Sequence, residues 1–413
     1  MASKIYVERK FWDFIDFKLL IPIIAITVIG IMSIYSSTAE SNYLTEFKNQ
    51  SISFGIALVV MVFFMLLPER WLRYASVPIY SLSILLLIIV LFFGAQNYGT
   101  RGWLIIAGRS FQPAELAKFG IIMMAGFLFN NLNVSIKHLR TLTMMIGLFI
   151  LPVFFILLQP DVGSATVFFA IFLGFLFWTG VDNLLLYSLV TAPILLIISL
   201  MGGITFWIGI SIFVILAFLF RKRILITTLV IAIGIIITIG APMFYNTMAP
   251  HQKARIDNFI NPGNDKRDTG YNVAQSVLAV GSGGITGKGY MQGTQTQLRY
   301  IPMQWTDFIF SVPAEEFGFI GVIVILSLYL YFLVRLINLS TIVKSRFFSI
   351  IIFTSASMFI YHIIINIGMV LGVMPVMGIP LPFMSYGGSS LIINYSLIGL
   401  SLNAFRNLKN YNY

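Results

Sequence analysis

Acid–base chemistry in this 413-residue chain has few side chains to draw on, because only 15 residues are acidic. Ionisable residues at membrane depth are costly and are usually paired or functional. The acidic residues that stand at the ends of long apolar runs, or in the long segment between two such runs, are Glu115, Asp161, Asp257, Asp265, Asp268, Asp307, Glu315 and Glu316. A general base for a proton transfer is therefore expected among these carboxylates.

Glu115 and Lys118 stand three residues apart at the start of an apolar run, within QPAELAK (112–118). Residues three apart share one face of a helix, so this spacing predicts a salt bridge that neutralises both charges or a functional pair. Asp161 follows Gln159 and Pro160 at a turn between two apolar runs. It either caps the next helix or meets the Glu115–Lys118 pair.

The segment 246–311 separates two apolar runs and is rich in basic residues. They are Lys253, Arg255, Lys266, Arg267, Lys288 and Arg299. A solvated loop and an anion-binding site are both open interpretations. The glycine-rich stretch 281–289 is not a nucleotide-binding P-loop, because Ser282 and Gly289 occupy positions where that motif needs glycine and a hydroxyl residue.

Metal ligation has weak support in the sequence. The chain has no cysteine, and His138, His251 and His362 are too scattered to show a metal-ligand spacing. His362 and Asn366 fall on one face of an apolar run, which favours an interhelical hydrogen-bonding pair.

The elements that position these residues are membrane-spanning helices. The chain is 58% hydrophobic and only 10% charged, with a mean hydropathy of +0.93. Its apolar runs have the roughly 20 residues needed to cross a bilayer, and a backbone in that environment must be helical. Candidate spans lie near 17–36, 51–68, 76–94, 113–130, 142–158, 163–180, 184–201, 204–220, 224–245, 312–334, 348–372 and 384–404. The fold class is all-α, polytopic, with about twelve transmembrane helices and one long extracytoplasmic loop, 246–311.

The distribution of lysine and arginine predicts the orientation. Alternate inter-span segments carry most of the short-loop positive charges, as the positive-inside rule requires if both termini are cytoplasmic. The net charge of +11 is therefore explained by lipid contact, and nucleic acid is not expected as a partner.

Several ordered motifs resemble those of the SEDS family (shape, elongation, division and sporulation). They are RGWL (101–104), FQPAELAK (111–118), QPDVG (159–163), the stretch 261–284, TDFIF (306–310), AEEFG (314–318) and PVMGIPLPFMSYGGS (375–389). GKGYMQGTQTQL (287–298) is similar to the RodA branch of this family rather than its division branch. Trp305 stands where the family usually has histidine, so a role for that histidine cannot be transferred.

The resemblance implies one membrane domain over 1–413, with a family core of about ten spans. The two additional spans predict an extra helical hairpin within 183–223. It also implies a protein of the cytoplasmic (inner) membrane whose active site faces the extracytoplasmic side.

The activity implied is that of a peptidoglycan glycosyltransferase, which polymerises lipid II into glycan strands during cell elongation. The resemblance makes Asp265 the catalytic base and leaves a divalent cation, Mg²⁺ or Mn²⁺, open as a cofactor. The substrate-binding candidates are Lys253, Arg255, Lys288, Arg299, Trp103 and Arg101. Glu115, Lys118 and Asp161 are assigned to a structural charge network.

Further residues are candidates for the cavity wall: Asp307, Glu315, Glu316 and Ser385. Asp307 has the alternative role of capping the helix that follows it. The implied partners are lipid II, a class B penicillin-binding protein that crosslinks the strands, and other proteins of the elongation complex. A lipid II flippase is the alternative function, and a non-catalytic scaffold is a third.

Overall fold

The computed structural model describes residues 14–39, 44–97, 100–106, 108–131, 139–219, 224–248, 253, 256–257, 259–260, 269–302 and 304–411. Its helices are α1 (Phe17–Thr38), α2 (Leu44–Leu66), α3 (Glu69–Phe93), α4 (Pro113–Asn131), α5 (Leu139–Leu157), α6 (Val162–Trp178), α7 (Asn183–Met201), α8 (Gly203–Leu219), α9 (Ile224–Thr247), α10 (Thr269–Ser282), α11 (Thr294–Gln297), α12 (Ser311–Ile342), α13 (Arg346–Val370) and α14 (Gly388–Tyr411).

These helices form an all-α polytopic membrane bundle. Among the described residues, seven helices are long and apolar enough to cross a membrane, and shorter apolar helices lie at Thr143–Leu157, Val162–Trp178 and Gly203–Leu219. Each predicted span overlaps a helix, although α2 and α3 begin several residues earlier than predicted and α12 and α14 end several residues later. The number of helices that cross the bilayer stays a prediction.

Helix α13 lies at the centre of the bundle. In its most apolar window 67% of the residues are buried, against 17–44% in the other six candidate spans. It contacts α4, α6, α12 and α14. Its polar side chains Thr354, Ser355, His362 and Asn366 are buried, so they are enclosed by protein rather than exposed to lipid.

Helices α7, α8 and α9 pack around a small core of their own. Its buried residues are Leu184, Leu195, Phe213, Ala217 and Val230, separate from the main core cluster. Of this group, α7 contacts the main bundle through α6. Separate packing is what an inserted hairpin within 183–223 would produce, and the insertion itself stays a prediction.

A small antiparallel sheet precedes α4 and was not predicted. Its strands are β1 (Ala95–Asn97), β2 (Thr100–Ile106) and β3 (Arg109–Phe111), in the order β1-β2-β3. Gly108, at the turn after β2, has φ +77°, a backbone conformation that glycine adopts readily. The sheet fixes the path of the chain between α3 and α4.

The segment predicted as a long loop contains regular structure. Helix α10 packs against α12 and α13, and the short helix α11 contacts α1 and α12. Within the described residues, much of 269–302 is therefore held against the bundle.

Helix α12 is broken at Gly318, where the backbone has φ 62° and ψ −158°. The glycine-rich segment 283–289 docks into this break through four backbone hydrogen bonds. The Lys288 and Gly289 N–H groups donate to the carbonyls of Glu315 and Glu316, and those of Phe319 and Ile320 donate to Gly284 and Ile285, over 2.9–3.1 Å. The break supplies carbonyl and N–H groups that a continuous helix would use internally.

Replacing Gly318 with alanine is expected to lower the thermal unfolding midpoint of the purified protein. A Cβ atom at this position would lie 2.3 Å from the backbone nitrogen of Gly287. Left-handed strain alone costs about 1–3 kcal/mol at a non-glycine residue, and the overlap adds to it. Gly55→Ala is the matched control, because a Cβ there meets nothing within 4 Å. Equal midpoints for the two variants would contradict this account of the break.

Candidate functional site

A polar cavity of about 240 Å³ opens where the ends of several helices and loops meet. The polar residues that line it are Trp103, Gln112, Glu115, Lys118, Asp161, Ser164, Thr306, Asp307, His362, Tyr386, Ser389 and Ser390. The charged groups in the wall are three carboxylates and one ammonium, so the cavity favours neutral or cationic groups over anions.

The predicted Glu115–Lys118 salt bridge is present. Lys118 Nζ donates to Glu115 Oε1 over 2.8 Å, and the two side chains are only 2% and 4% exposed. Both are held near the start of α4, beside the central helix α13. A buried pair of this kind is costly to break, because the remaining charge is left without a partner.

Asp161 caps α6, as one of its two predicted roles requires. Its Oδ1 accepts from the Ser164 backbone N–H at 2.9 Å. Its Oδ2 accepts from the Ser164 hydroxyl at 2.7 Å and from Gln112 Nε2 at 3.1 Å. Gln112 directly precedes α4, so Asp161 ties the start of α6 to the start of the helix that carries Glu115 and Lys118.

The opposite wall is built by the segment 371–387 and by polar groups of α13. Asn366 Nδ2 donates to the carbonyls of Asp307 and Ile379, both at 2.8 Å. His362 Nδ1 lies 3.1 Å from the Pro380 carbonyl oxygen. The prediction that these two residues form hydrogen bonds between helices was therefore wrong. Both form hydrogen bonds with carbonyl groups of non-helical segments that fold into the bundle.

Asp307 lies on the cavity wall and does not cap the following helix. Helix α12 begins at Ser311, four residues further on, with Phe310 at its N-cap. The capping alternative for Asp307 is thus wrong. The cavity-wall prediction agrees with its position.

Glu315 lies away from this wall and anchors the 282–297 segment instead. Its fully buried carboxylate accepts from the backbone N–H groups of Gln295 and Thr296, each at 2.9 Å. It also accepts from the Thr296 hydroxyl and from Lys288 Nζ, each at 2.8 Å. We call this set of contacts the Glu315 anchor.

Glu316 ties the same segment to α1. Its carboxylate accepts from the Ser36 hydroxyl and from the Met291 backbone N–H, the latter at 3.2 Å. Gln297 Nε2 also donates to Ser36, at 3.1 Å to the hydroxyl oxygen. Two neighbouring carboxylates at the break in α12 thus hold one segment from two sides.

Replacing Glu315 with glutamine is expected to detach this segment more often. The glutamine amide keeps one acceptor oxygen, so its NH2 group would face either the Gln295 N–H or the Thr296 N–H as a second donor, and it would also leave Lys288 without its counter-charge. Hydrogen bonds to charged groups contribute about 1.5–3 kcal/mol each, so trypsin should cleave after Lys288 at least about tenfold faster.

The matched control for this measurement is Glu46→Gln. Within the described part of the chain, the Glu46 carboxylate accepts a hydrogen bond only from its neighbour Thr45. That variant should be cleaved at the wild-type rate. An unchanged cleavage rate in Glu315→Gln would show that the backbone contacts at Gly318 suffice to hold the segment.

Of the predicted substrate-binding residues that the structure describes, one lines the cavity. Trp103 lines it, whereas Arg101 is exposed on strand β2. Lys288 takes part in the Glu315 anchor with 26% of its side chain exposed. Arg299 follows α11 with φ 55°, and Lys253 Nζ donates to the Asn246 carbonyl at 2.8 Å.

Ser385 has a structural position. Its hydroxyl donates to the Thr306 carbonyl at 2.7 Å and accepts from the Leu381 N–H at 2.8 Å. These bonds fix the segment before α14 against the one before α12, both of which contribute to the cavity wall.

Asp265 and Arg255 lie outside the described residues, so their predicted roles stay predictions. Within the part of the chain that the structure describes, no three histidine, cysteine, aspartate or glutamate side chains form a group that could hold a metal ion. The predicted divalent cation is therefore not assigned to any described residue.

Comparison with known proteins gives matches over nearly the whole chain. The family model FTSW_RODA_SPOVE, described as "Cell cycle protein", matches residues 13–207 and 201–410. The chain is 31% identical over 423 residues to the peptidoglycan glycosyltransferase RodA of Treponema pallidum, covering 94% of this chain and 97% of that protein. It is 30% identical over 400 residues to a probable peptidoglycan glycosyltransferase FtsW of Thiomicrospira cyclica, covering 94% and 91%.

A solved structure is similar as well. It is described as "Structural coordination of polymerization and crosslinking by a peptidoglycan synthase complex", and the match covers 95% of this chain and 98% of that one. The TM-score is 0.70 at 27% sequence identity.

Proposed function

The chain belongs to the FTSW_RODA_SPOVE family of cell cycle proteins, and on that premise we propose that it is a peptidoglycan glycosyltransferase that polymerises lipid II. The observation that carries the proposal is the polar cavity at one end of an apolar bundle. Its buried Glu115–Lys118 pair and its capping Asp161 come from the motifs that resemble the SEDS family. The similarity to peptidoglycan glycosyltransferases supports the same reaction class.

The reaction joins a sugar hydroxyl to the anomeric carbon of a lipid-linked sugar. The new carbon–oxygen bond forms as the bond to the polyprenyl pyrophosphate breaks, and the proton of the hydroxyl passes to a base. Asp265 is the proposed base, and a single inverting displacement requires only one. The leaving pyrophosphate requires positive charge, for which Lys253, Arg255, Lys288 and Arg299 are the proposed sources.

The proposed placement is in the cytoplasmic membrane, with both termini in the cytoplasm and the cavity on the extracytoplasmic side. This orientation rests on the positive-inside rule. A class B penicillin-binding protein is the proposed partner, supported by the similarity to a synthase complex that coordinates polymerization with crosslinking. Relatives from the RodA and FtsW branches are about equally similar to this chain, so overall identity does not distinguish elongation from division. The proposed role in elongation rests on the resemblance of 287–298 to the RodA branch.

One observation favours transport of lipid II as a second candidate. Transporters place their binding sites at broken helices near the middle of the membrane, and α12 is broken. The break at Gly318, however, lies only seven residues after the start of α12 at Ser311, about 10 Å along its axis at 1.5 Å per residue. A position so close to one end favours chemistry at the membrane surface.

The test is the incubation of the purified full-length protein in lipid nanodiscs with labelled lipid II, followed by separation of the products by length. Glycan chains are expected, and a class B penicillin-binding protein should increase their yield. No chains with or without that partner and divalent cations would refute the proposal. Lipid II flipping in vesicles would then be measured.

A further inference from the structure

His362 lines the cavity, and one of its buried ring nitrogens has no hydrogen-bond partner. The residue is 2% exposed, and its Nδ1 faces the Pro380 carbonyl oxygen at 3.1 Å. Because a carbonyl oxygen can only accept, Nδ1 carries the proton, and in a neutral ring Nε2 is then an acceptor. Among the described residues no group forms a hydrogen bond with Nε2.

Glu115 lines the same cavity and carries a second buried acceptor without a partner. Its Oε1 accepts from Lys118, while its Oε2 has no hydrogen-bond partner in the described part of the chain. The residue is 3% exposed. Buried polar atoms are normally paired, so two acceptors left over in one cavity indicate a ligand or ordered water that donates to them.

The charge of the wall restricts that ligand. Three carboxylates and one ammonium group, itself already paired with Glu115, surround the space. A phosphate or pyrophosphate brings only acceptors and negative charge, and would be repelled. A neutral group with several hydroxyls supplies the donors that His362 and Glu115 lack.

We propose that His362 Nε2 and Glu115 Oε2 form a subsite that accepts hydrogen bonds from hydroxyl groups of the saccharide moiety of the substrate. This inference rests on the proposed function, because it takes the ligand to be a lipid-linked disaccharide. It places the sugar between α4 and α13, and it leaves the pyrophosphate to basic residues such as Lys253, Lys288 and Arg299, which do not line the cavity.

The experiment measures equilibrium binding, without turnover, of lipid II and of analogues that each lack one sugar hydroxyl. His362→Asn is the informative variant, because its amide can still donate to the Pro380 carbonyl but does not reach the position of Nε2. His362→Gln is the matched control, since its longer side chain carries a polar atom to that position. Thermal unfolding midpoints of both variants establish that they fold.

Wild type is expected to bind at least one deoxy analogue about tenfold or more weakly than lipid II, as for a lost hydrogen bond to a buried acceptor. His362→Asn should bind lipid II weakly and no longer distinguish that analogue, whereas His362→Gln should retain much of the discrimination. A purely structural role would lower all affinities alike.

If wild type binds every deoxy analogue as tightly as lipid II, the inference is overturned whether or not the variants fold. The two acceptors would then be assigned to water. Unchanged discrimination in a folded His362→Asn variant would also overturn it. The polymerisation assay is read separately. Glycan chains without hydroxyl discrimination refute this subsite alone, whereas discrimination without glycan chains refutes the proposed polymerase activity alone.

Discussion

Replacing Asp265 with asparagine is expected to lower the initial rate of glycan polymerisation by at least about 100-fold, the usual contribution of a positioned general base. Asparagine has nearly the same shape as aspartate but cannot take up the proton of the attacking sugar hydroxyl. Binding of lipid II should change little, because the loss falls on the transfer step. The measurement is the single-turnover rate of product formation from labelled lipid II at saturating protein.

The control is Asp268→Asn, which removes an equal charge from the same polar stretch three residues further on. That variant should retain most of its activity. Near-normal polymerisation by a purified Asp265→Asn protein would show that Asp265 is not the base. The carboxylates of the cavity wall, Asp161 and Asp307, would then be the next to test.

The spans of this protein are predictable from sequence because each depends on a local property. A run of about 20 apolar residues has no alternative to a helix in hydrocarbon, and every predicted run overlaps an observed helix. The strands β1, β2 and β3 were missed for the opposite reason. They are three to seven residues long, and the pairing of β2 with β3 depends on a turn at Gly108 rather than on an apolar pattern.

The contacts of the candidate site likewise fall into those that the sequence predicts and those that it does not. The Glu115–Lys118 pair and the Asp161 cap join residues three apart, so a helical repeat is enough to predict them. The Glu315 anchor joins residues 19 to 27 apart, and Ser36 meets Glu316 across 280 positions. The packing of α1 and α12 creates those contacts, and spacing along the chain does not contain that information.

His362 shows most clearly where sequence reasoning ends. A histidine in an apolar helix predicts a polar partner, and the expected partner was a neighbouring helix. The observed partner is the Pro380 carbonyl, because the segment 371–387 folds into the bundle instead of remaining outside it. The unpartnered Nε2 becomes visible only once that segment is in place.

Breaking the buried ion pair on α4 is the second large effect we expect. Lys118→Met should destabilise the protein by roughly 3–5 kcal/mol, because it leaves the Glu115 carboxylate charged, buried and unpaired. Glu115→Leu should cost a similar amount for the converse reason. The double variant Glu115→Leu/Lys118→Met should recover most of the loss, since two apolar side chains of similar size leave no buried charge. Equilibrium unfolding in mixed micelles measures all three variants and their coupling energy.

The more exposed pair Glu69–Arg73 supplies the control, with Arg73 34% and Glu69 17% exposed. Arg73→Met should change the stability by no more than about 1 kcal/mol, the usual range for pairs that water screens.

The double variant on α4 also separates stability from function. If Glu115 Oε2 accepts a hydrogen bond from the substrate, restoring stability will not restore lipid II binding. If the double variant recovers both stability and lipid II binding, Glu115 has a purely structural role. If it recovers stability alone, lipid II binding requires the Glu115 carboxylate itself.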